Sequence, residues 1–254
     1  MINAKEIRVI GLRRTGNHAI IGWIRAQHHE YAFHVNHPPG GMNPYRFLAN
    51  HYDNAEFHRE ARGEFTPKSL LILSYEDQDL ADICCQKFEK FHDVYVGPSA
   101  SRYDVLILRD PFNLMASQLK SGMASMTTGT AQRKIRVWKD YAREFLNQTQ
   151  LMPHQKCCIS FNQWHYDAAY REKIAGQLAL NFSDVGREKV RGYGGGSSFS
   201  GRELDGQASQ LNILDRWHIF QDDPDYWNLF RDDELLGYVS QIFDTATLPM
   251  QYVQ

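Results

Sequence analysis

The chain reads as an α/β protein, a parallel β-sheet flanked by helices. Three observations predict this. β-rich apolar runs followed by turn signals recur at residues 7–11, 31–35, 70–74, 94–96, 105–108 and 157–161. Helical patterns lie between and after them, at 19–27, 79–91, 111–119, 131–147, 167–180 and 233–243. The polar motifs stand where apolar runs end, the edge at which parallel sheets bind ligands. Strands that alternate with helices form βαβ units with right-handed crossovers.

The elements follow in order. Val9 and Ile10 belong to a short strand that runs into a Gly-flanked basic loop and then an apolar helix. Leu80, Ile83, Cys84, Phe88 and Phe91 mark the helix over 79–91, and Ile135, Trp138, Tyr141, Ala142 and Phe145 share one face of 131–147. Pro111 opens the helix after the 105–108 strand, where its missing N–H costs nothing. Two stretches break the alternation. Residues 36–68, with Pro38, Pro39, Gly40 and Gly41, read as a long surface excursion. Residues 191–209 are too rich in Gly and Ser for a packed element and read as a functional lid or a disordered linker. The length, 254 residues, suits a single domain over 1–254 with excursions at 36–68 and 191–215.

Composition excludes several classes. A net charge of −2 gives no global field for nucleic acid. No apolar stretch is long enough to span a membrane, and the N-terminus reads directly into a strand, so a cytoplasmic location is expected. Cys84-Cys85 and Cys157-Cys158 are adjacent pairs, a spacing that suits buried reduced thiols rather than zinc. His34, Asn36 and His37 lack a partner cluster, so no metal is expected. Tyr45, Arg46, His51 and Tyr52 could shape a polar acceptor site or be ordinary loop residues, and Trp138, Trp164, Trp217 and Trp227 read as packing.

Two motifs carry chemistry. In the first, Gly11 and Gly16 have G-x-x-x-x-G spacing at a strand–loop–helix junction, the layout of a phosphate cradle. The Lys-Ser/Thr of a nucleotide P-loop is replaced by Asn17-His18, and Arg13 and Arg14 supply the positive charge. That pattern suits a phosphate ester handled without a metal. In the second, Arg109 ends the 105–108 strand, Pro111 opens the next helix and Ser117 lies on it. An Arg at that edge can grip a second phosphate bidentately, or serve as a structural ion pair.

Together the motifs resemble those of the sulfotransferases that use 3′-phosphoadenylyl sulfate (PAPS). In that family a loop of the type Pro-Lys/Arg-Ser-Gly-Thr holds the 5′-phosphosulfate, and an Arg with a Ser eight residues on binds the 3′-phosphate. Arg14-Thr15-Gly16-Asn17 matches the first and Arg109 with Ser117 the second. The order of the strands agrees from residue 7 to about 182, and Ser160-Phe161-Asn162-Gln163-Trp164 resembles a later family segment. The resemblance implies a P-loop NTPase-like, three-layer sulfotransferase fold. It implies PAPS as donor, PAP as product, no metal, and transfer of sulfonate to a hydroxyl or amine, with a small molecule or glycan as acceptor.

Residue roles follow from the same resemblance. Arg14 would stabilise charge on the departing bridging oxygen. Thr15, Gly16, Asn17 and His18 would hold the 5′-phosphate, with Arg13 adding positive charge to the cofactor site, and Arg109 and Ser117 would hold the 3′-phosphate. Arg191, Ser197 and Ser198 would close over the nucleotide. Glu76 stands where some members place a glutamate base, and His37 is the alternative base. The sequence departs from the family at Asn17-His18, where Thr-Thr is usual, and in lacking the Lys-Thr-His of the cytosolic members. Two other readings remain. A P-loop kinase or NTPase shares the strand–loop–helix geometry but should carry Lys and Ser/Thr after Gly16. A non-catalytic PAP- or nucleotide-binding module would bind without transfer.

Overall fold

In a computed structural model, residues 1–28, 30, 32–190, 199, 201 and 203–253 are described. Five strands form one sheet in the order β2-β3-β1-β4-β5. They are β1 (Asn3–Gly11), β2 (Ala32–Asn36), β3 (Lys68–Glu76), β4 (Arg102–Leu108) and β5 (Gln155–Ser160), and every pairing is parallel. β1 lies at the centre. Gly11 is level with Glu76 on β3 and with Ile107 on β4, so the carboxyl ends of three neighbouring strands form one crest.

Alternation along the strands builds two cores, one on each face of the sheet. Ile7, Val9, Leu70, Ile72, Val105 and Ile107 face α1 (Asn17–Ala26) and α9 (Ala168–Gln177), meeting Ile20, Trp23, Ile24 and Ile174. Ile10, Leu71, Leu73, Leu106 and Leu108 face the other way, toward Phe88 of α5 (Gln86–Val96), Phe112 of α6 (Pro111–Lys120), Trp138 of α7 (Thr130–Phe145) and Leu235 of α11 (Asp233–Ile242). The result is a helix–sheet–helix sandwich. Below the crest, Arg8 on β1 makes two bonds to Asp104 on β4, at 2.8 and 3.0 Å, fully removed from solvent.

Several expectations need correction. Residues 94–96 are not a strand but the last turn of α5. Phe88, His92 and Val96 are spaced by four and all buried, which is a helical stripe, and Gly97 at φ 78° ends it. The helix expected over 79–91 is broken at Cys84-Cys85 into α4 (Leu80–Ile83) and α5. The excursion at 36–68 contains α2 (Pro44–His51) and α3 (Ala55–Ala61), each capped by an Asn side chain, Asn43 and Asn54. β5 stops at Ser160, and Phe161 opens α8 (Phe161–Tyr166). Tyr31 lies outside the described residues. After residue 203, 3-10 turns and α10 (Pro224–Asn228) lead to α11, and the Tyr226 hydroxyl donates to the Phe112 carbonyl at 2.6 Å. Among the described residues, no helix is long and apolar enough to cross a membrane.

Candidate active site

The loop between β1 and α1 turns through two left-handed residues, Arg14 at φ 69° and Gly16 at φ 99°. Both flanking glycines are needed. A Cβ on Gly11 would stand 2.3 Å from Asn17 Oδ1, and one on Gly16 would stand 2.2 Å from the Phe161 ring. Asn17 is 3% exposed, and its Nδ2 donates to the Leu12 carbonyl at 3.1 Å and to Glu76 Oε1 at 2.9 Å. Its amide therefore braces the loop to β3, where the sequence suggested a donor to phosphate.

Three guanidiniums gather where α6 begins. Arg14 Nε donates to Ser117 Oγ at 3.3 Å, and Arg216 Nη1 reaches the same oxygen at 3.3 Å. Arg109 Nη1 donates to the Arg14 carbonyl at 3.3 Å, and its other amino group to the Ile213 carbonyl. The sequence assigned Arg14 and the Arg109–Ser117 pair to two ends of a ligand, and the structure joins them in one continuous patch. Trp138 Nε1 fixes the Arg109 carbonyl at 2.9 Å, and the Arg109 guanidinium lies 5.6 Å from the centre of the Phe161 ring.

The patch is buried and positive. Burial lowers the Arg109 pKa to about 10, with Asp110 opposing and Arg14 adding to the shift, and burial followed by the Arg109 and Arg14 charges lowers the Arg216 pKa to about 8. Burial also lowers Arg14, with Glu76 opposing. The neighbouring Asp110 carboxylate is held mainly by amides. It accepts from the Asn113 N–H at 2.8 Å, Asn113 Nδ2 at 3.0 Å and Asn162 Nδ2 at 2.8 Å. Arg109 Nε and Thr15 Oγ1 are buried with no hydrogen-bond partner among the described residues.

A different chemistry stands at the ends of β2 and β3. Glu76 is 8% exposed, 3.9 Å from His18 Nε2 and 3.7 Å from Arg13 Nε. Its backbone N–H donates to His37 Nδ1 at 3.3 Å, so the His37 ring carries its proton on Nε2. Burial and the Arg13 charge lower the His37 pKa, and burial lowers that of His18, so both rings are neutral near pH 7. Arg13 lies at the rim; its backbone N–H donates to Asp77 Oδ1 at 2.9 Å, and Lys134 pairs with the same carboxylate at 2.5 Å. His34 donates to or accepts from Ser74 Oγ at 2.8 Å, and burial lowers its pKa to about 3. Among the described residues no cluster of His, Cys, Asp and Glu is placed to hold a metal.

Both ends open into one cavity of ≈ 330 Å³, with Arg14, Arg109 and Arg216 on one side and His18, His37 and Glu76 on the other. Val190 and Ala208 line it at the margins of the Gly/Ser-rich segment. Arg191, Ser197 and Ser198 of that segment lie outside the described residues. Sequence reasoning missed Arg216 and Asn113. Arg216 belongs to no periodic or motif pattern, Asn113 lies within the Arg109–Ser117 motif without a signal of its own, and the two meet only across 103 residues of chain.

No protein-family model matches the chain, and no curated protein matches its sequence. Solved structures match its fold. The sulfotransferase domain of the Synechococcus PCC 7002 olefin synthase superposes with a TM-score of 0.52 at 11% identity, over 96% of this chain and 97% of that one. A sulfotransferase domain from the curacin biosynthetic pathway gives 0.50 at 13% identity, over 96% and 98%. The chain has a sulfotransferase-like α/β fold.

Proposed function

We propose that this protein is a PAPS-dependent sulfotransferase that modifies a hydroxyl or amine on a small molecule or glycan. One observation carries the reading. On adjacent strand crests a buried cationic patch built from Arg14, Arg109 and Ser117 shares a cavity with the carboxylate of Glu76. The orphaned Arg109 Nε and Thr15 Oγ1 suit an oxygen-rich anion, which would take hydrogen bonds from both.

PAPS would supply the activated sulfonate. Arg109 and Ser117 would hold its 3′-phosphate, and the residue 12–16 loop with the first turn of α1 its 5′ end. Arg14, reaching from that loop, would stabilise negative charge as the bridging oxygen departs. The transition state is loose and in line, so the chain's main task is to position groups and balance charge. Glu76 would take the acceptor proton. His37 is less suited to that role, because the Nδ1 lone pair is occupied by a backbone N–H and Nε2 is protonated. His37 instead can donate from Nε2 to the acceptor oxygen. The flat Phe161 ring beside Arg109 offers a surface for the adenine.

The test is transfer of labelled sulfonate from PAPS to a panel of glycans, phenols, amines and lipids. Acceptor-dependent transfer is expected without added metal. Tight PAP binding with no transfer to any acceptor would make the chain a binding module, and transfer of a phosphoryl group from ATP would make it a kinase.

A further inference from the structure

We infer that the acceptor end selects a hydroxyl over an amine, with His37 as the selecting residue and Gln78 as the positioning residue that fixes its ring. The inference rests on the function proposed above and narrows its substrate class. The two groups that face the acceptor are of opposite kind. Glu76 Oε1 takes the Asn17 amide at 2.9 Å, and Oε2, 3.7 Å from Arg13 Nε and beyond its hydrogen-bond reach, is left to receive a proton. His37 offers the reverse, an Nε2–H in a ring that lines the same cavity.

Two donors hold that ring in its tautomer. The Glu76 N–H donates to Nδ1 at 3.3 Å, and Gln78 Nε2 approaches the same nitrogen at 3.5 Å. The Gln78 amide is fixed in orientation, because its Oε1 accepts from the Gly40 N–H at 2.7 Å and its Nε2 donates to the Pro38 carbonyl at 2.9 Å. The Gln78 carbonyl in turn accepts from the Tyr141 hydroxyl at 2.6 Å. A proton on Nδ1 would set N–H against N–H, so the ring stays neutral with its proton on Nε2. The backbone is held to the same end. His37 has φ 57°, its N–H donates to the Ser74 carbonyl at 2.7 Å, and Asp77 beside Glu76 has φ 60°. Left-handed non-glycine residues thus stand at the ends of two adjacent strands, strain of the kind that marks a site.

Selection follows from counting lone pairs. A hydroxyl oxygen has two. One accepts from His37 Nε2–H, the other attacks sulfur, and the hydroxyl proton passes to Glu76 Oε2. The new bond to sulfur forms as the bond from sulfur to the bridging oxygen breaks, and that oxygen keeps the electron pair on PAP. An uncharged amine has a single lone pair, which cannot both accept from His37 and attack. An ammonium has none and meets Nε2–H with another N–H.

The experiment measures labelled sulfonate transfer by the full chain to pairs that differ only in O or N: phenol and aniline, benzyl alcohol and benzylamine, glucose and glucosamine. Aniline is uncharged at neutral pH, so the first pair separates lone-pair count from charge. The hydroxyl member should lead its amine at least about 10-fold in kcat/KM. His37→Asn, which accepts the left-handed backbone, should bring that ratio close to one while PAP affinity by calorimetry stays within about twofold. Gln78→Glu sets a carboxylate against Nδ1, draws a proton there and should lower the ratio in the same direction. Gln78→Met, which keeps the length and loses the amide, gives the same reading if Gln78→Glu fails to fold. Nitrogen–proton correlation spectra, with the His37 ring assigned by its loss in His37→Asn, should show Nε2–H in the native chain and a protonated Nδ1 in Gln78→Glu, a change that a merely structural role would not produce. Aniline used as well as phenol, or a ratio that survives His37→Asn, overturns the selection. A native ring protonated on Nδ1 overturns the role of Gln78. Transfer to no hydroxyl at all overturns the proposed function, a separate result, and the ring spectrum still decides the tautomer.

Discussion

At one end of the cavity two guanidiniums, Arg14 and Arg216, share a single serine hydroxyl with Arg109 beside them; at the other, a carboxylate stands among two neutral imidazoles. The cationic end is assembled from β1, β4, α6 and the segment after the Gly/Ser-rich loop, and it is held by bonds to backbone carbonyls of Arg14 and Ile213. The carboxylate end hangs on the termini of β2 and β3 and on one amide, Asn17, that reaches it from the loop. Under the proposed function, the difference assigns each kind of specificity to its own end. A rigid, preorganised charge array suits a donor that is always the same. A polar end built beside the 36–68 excursion suits an acceptor that loop variation can change.

This contrast can be broken by substitution. Glu76→Gln should have the largest effect, a fall in kcat of about 10²–10⁴-fold as a general base is lost. PAP affinity measured by calorimetry should stay unchanged, which separates the two ends. Next, Arg14→Ala should lower kcat about 10²–10³-fold, the loss typical of one preorganised charge-stabilising donor. Its effect on PAP release kinetics would show whether Arg14 serves the departing oxygen or only the patch around Ser117.

Gly16→Ala sharpens the contrast through stability. The left-handed φ of 99° and the Phe161 ring at 2.2 Å from the added Cβ should cost about 1–3 kcal/mol in a denaturant melt. The loop then either shifts or expels Phe161, and PAP binding should weaken with it.

Taken per pH unit, the smallest effect concerns pH. His34, with a folded pKa near 3 against 6.5 in the unfolded chain, is held neutral by burial. The unfolded state therefore takes up its proton first. The stability this gives is complete above pH 6.5 and is lost as pH falls toward 3, at about 1.4 kcal/mol per pH unit. Denaturant melts from pH 7 to 4 should show a slope that His34→Gln reduces by one proton.

How much of this was legible in the sequence differs between elements for physical reasons. β1 and β4 are buried on both faces, so their apolar runs announce them. Val94-Tyr95-Val96 has strand-like residues, but the four-residue spacing of Phe88, His92 and Val96 prevails once that face is buried. α2 and α3 are short and carry little periodic signal, and their Asn caps look like loop residues until the fold is known. Arg14, Arg109 and Ser117 were readable because motif and spacing keep them local. Asn17 was readable as a polar residue after Gly16, but its orientation depends on Glu76, 59 residues away. Arg216 depends on Asn113 in the same way, and no local pattern encodes such a partnership.

The central claim is that the buried cationic crest is the seat of a bisphosphorylated adenosine. The most direct measurement is a calorimetric comparison of PAP with ATP, each with and without Mg²⁺, on the native chain and on Arg109→Ala. The account predicts that PAP binds more tightly than either form of ATP, that Mg²⁺ adds nothing, and that Arg109→Ala abolishes the preference. Tighter binding of Mg²⁺-ATP, or a PAP affinity that survives loss of Arg109, would contradict it.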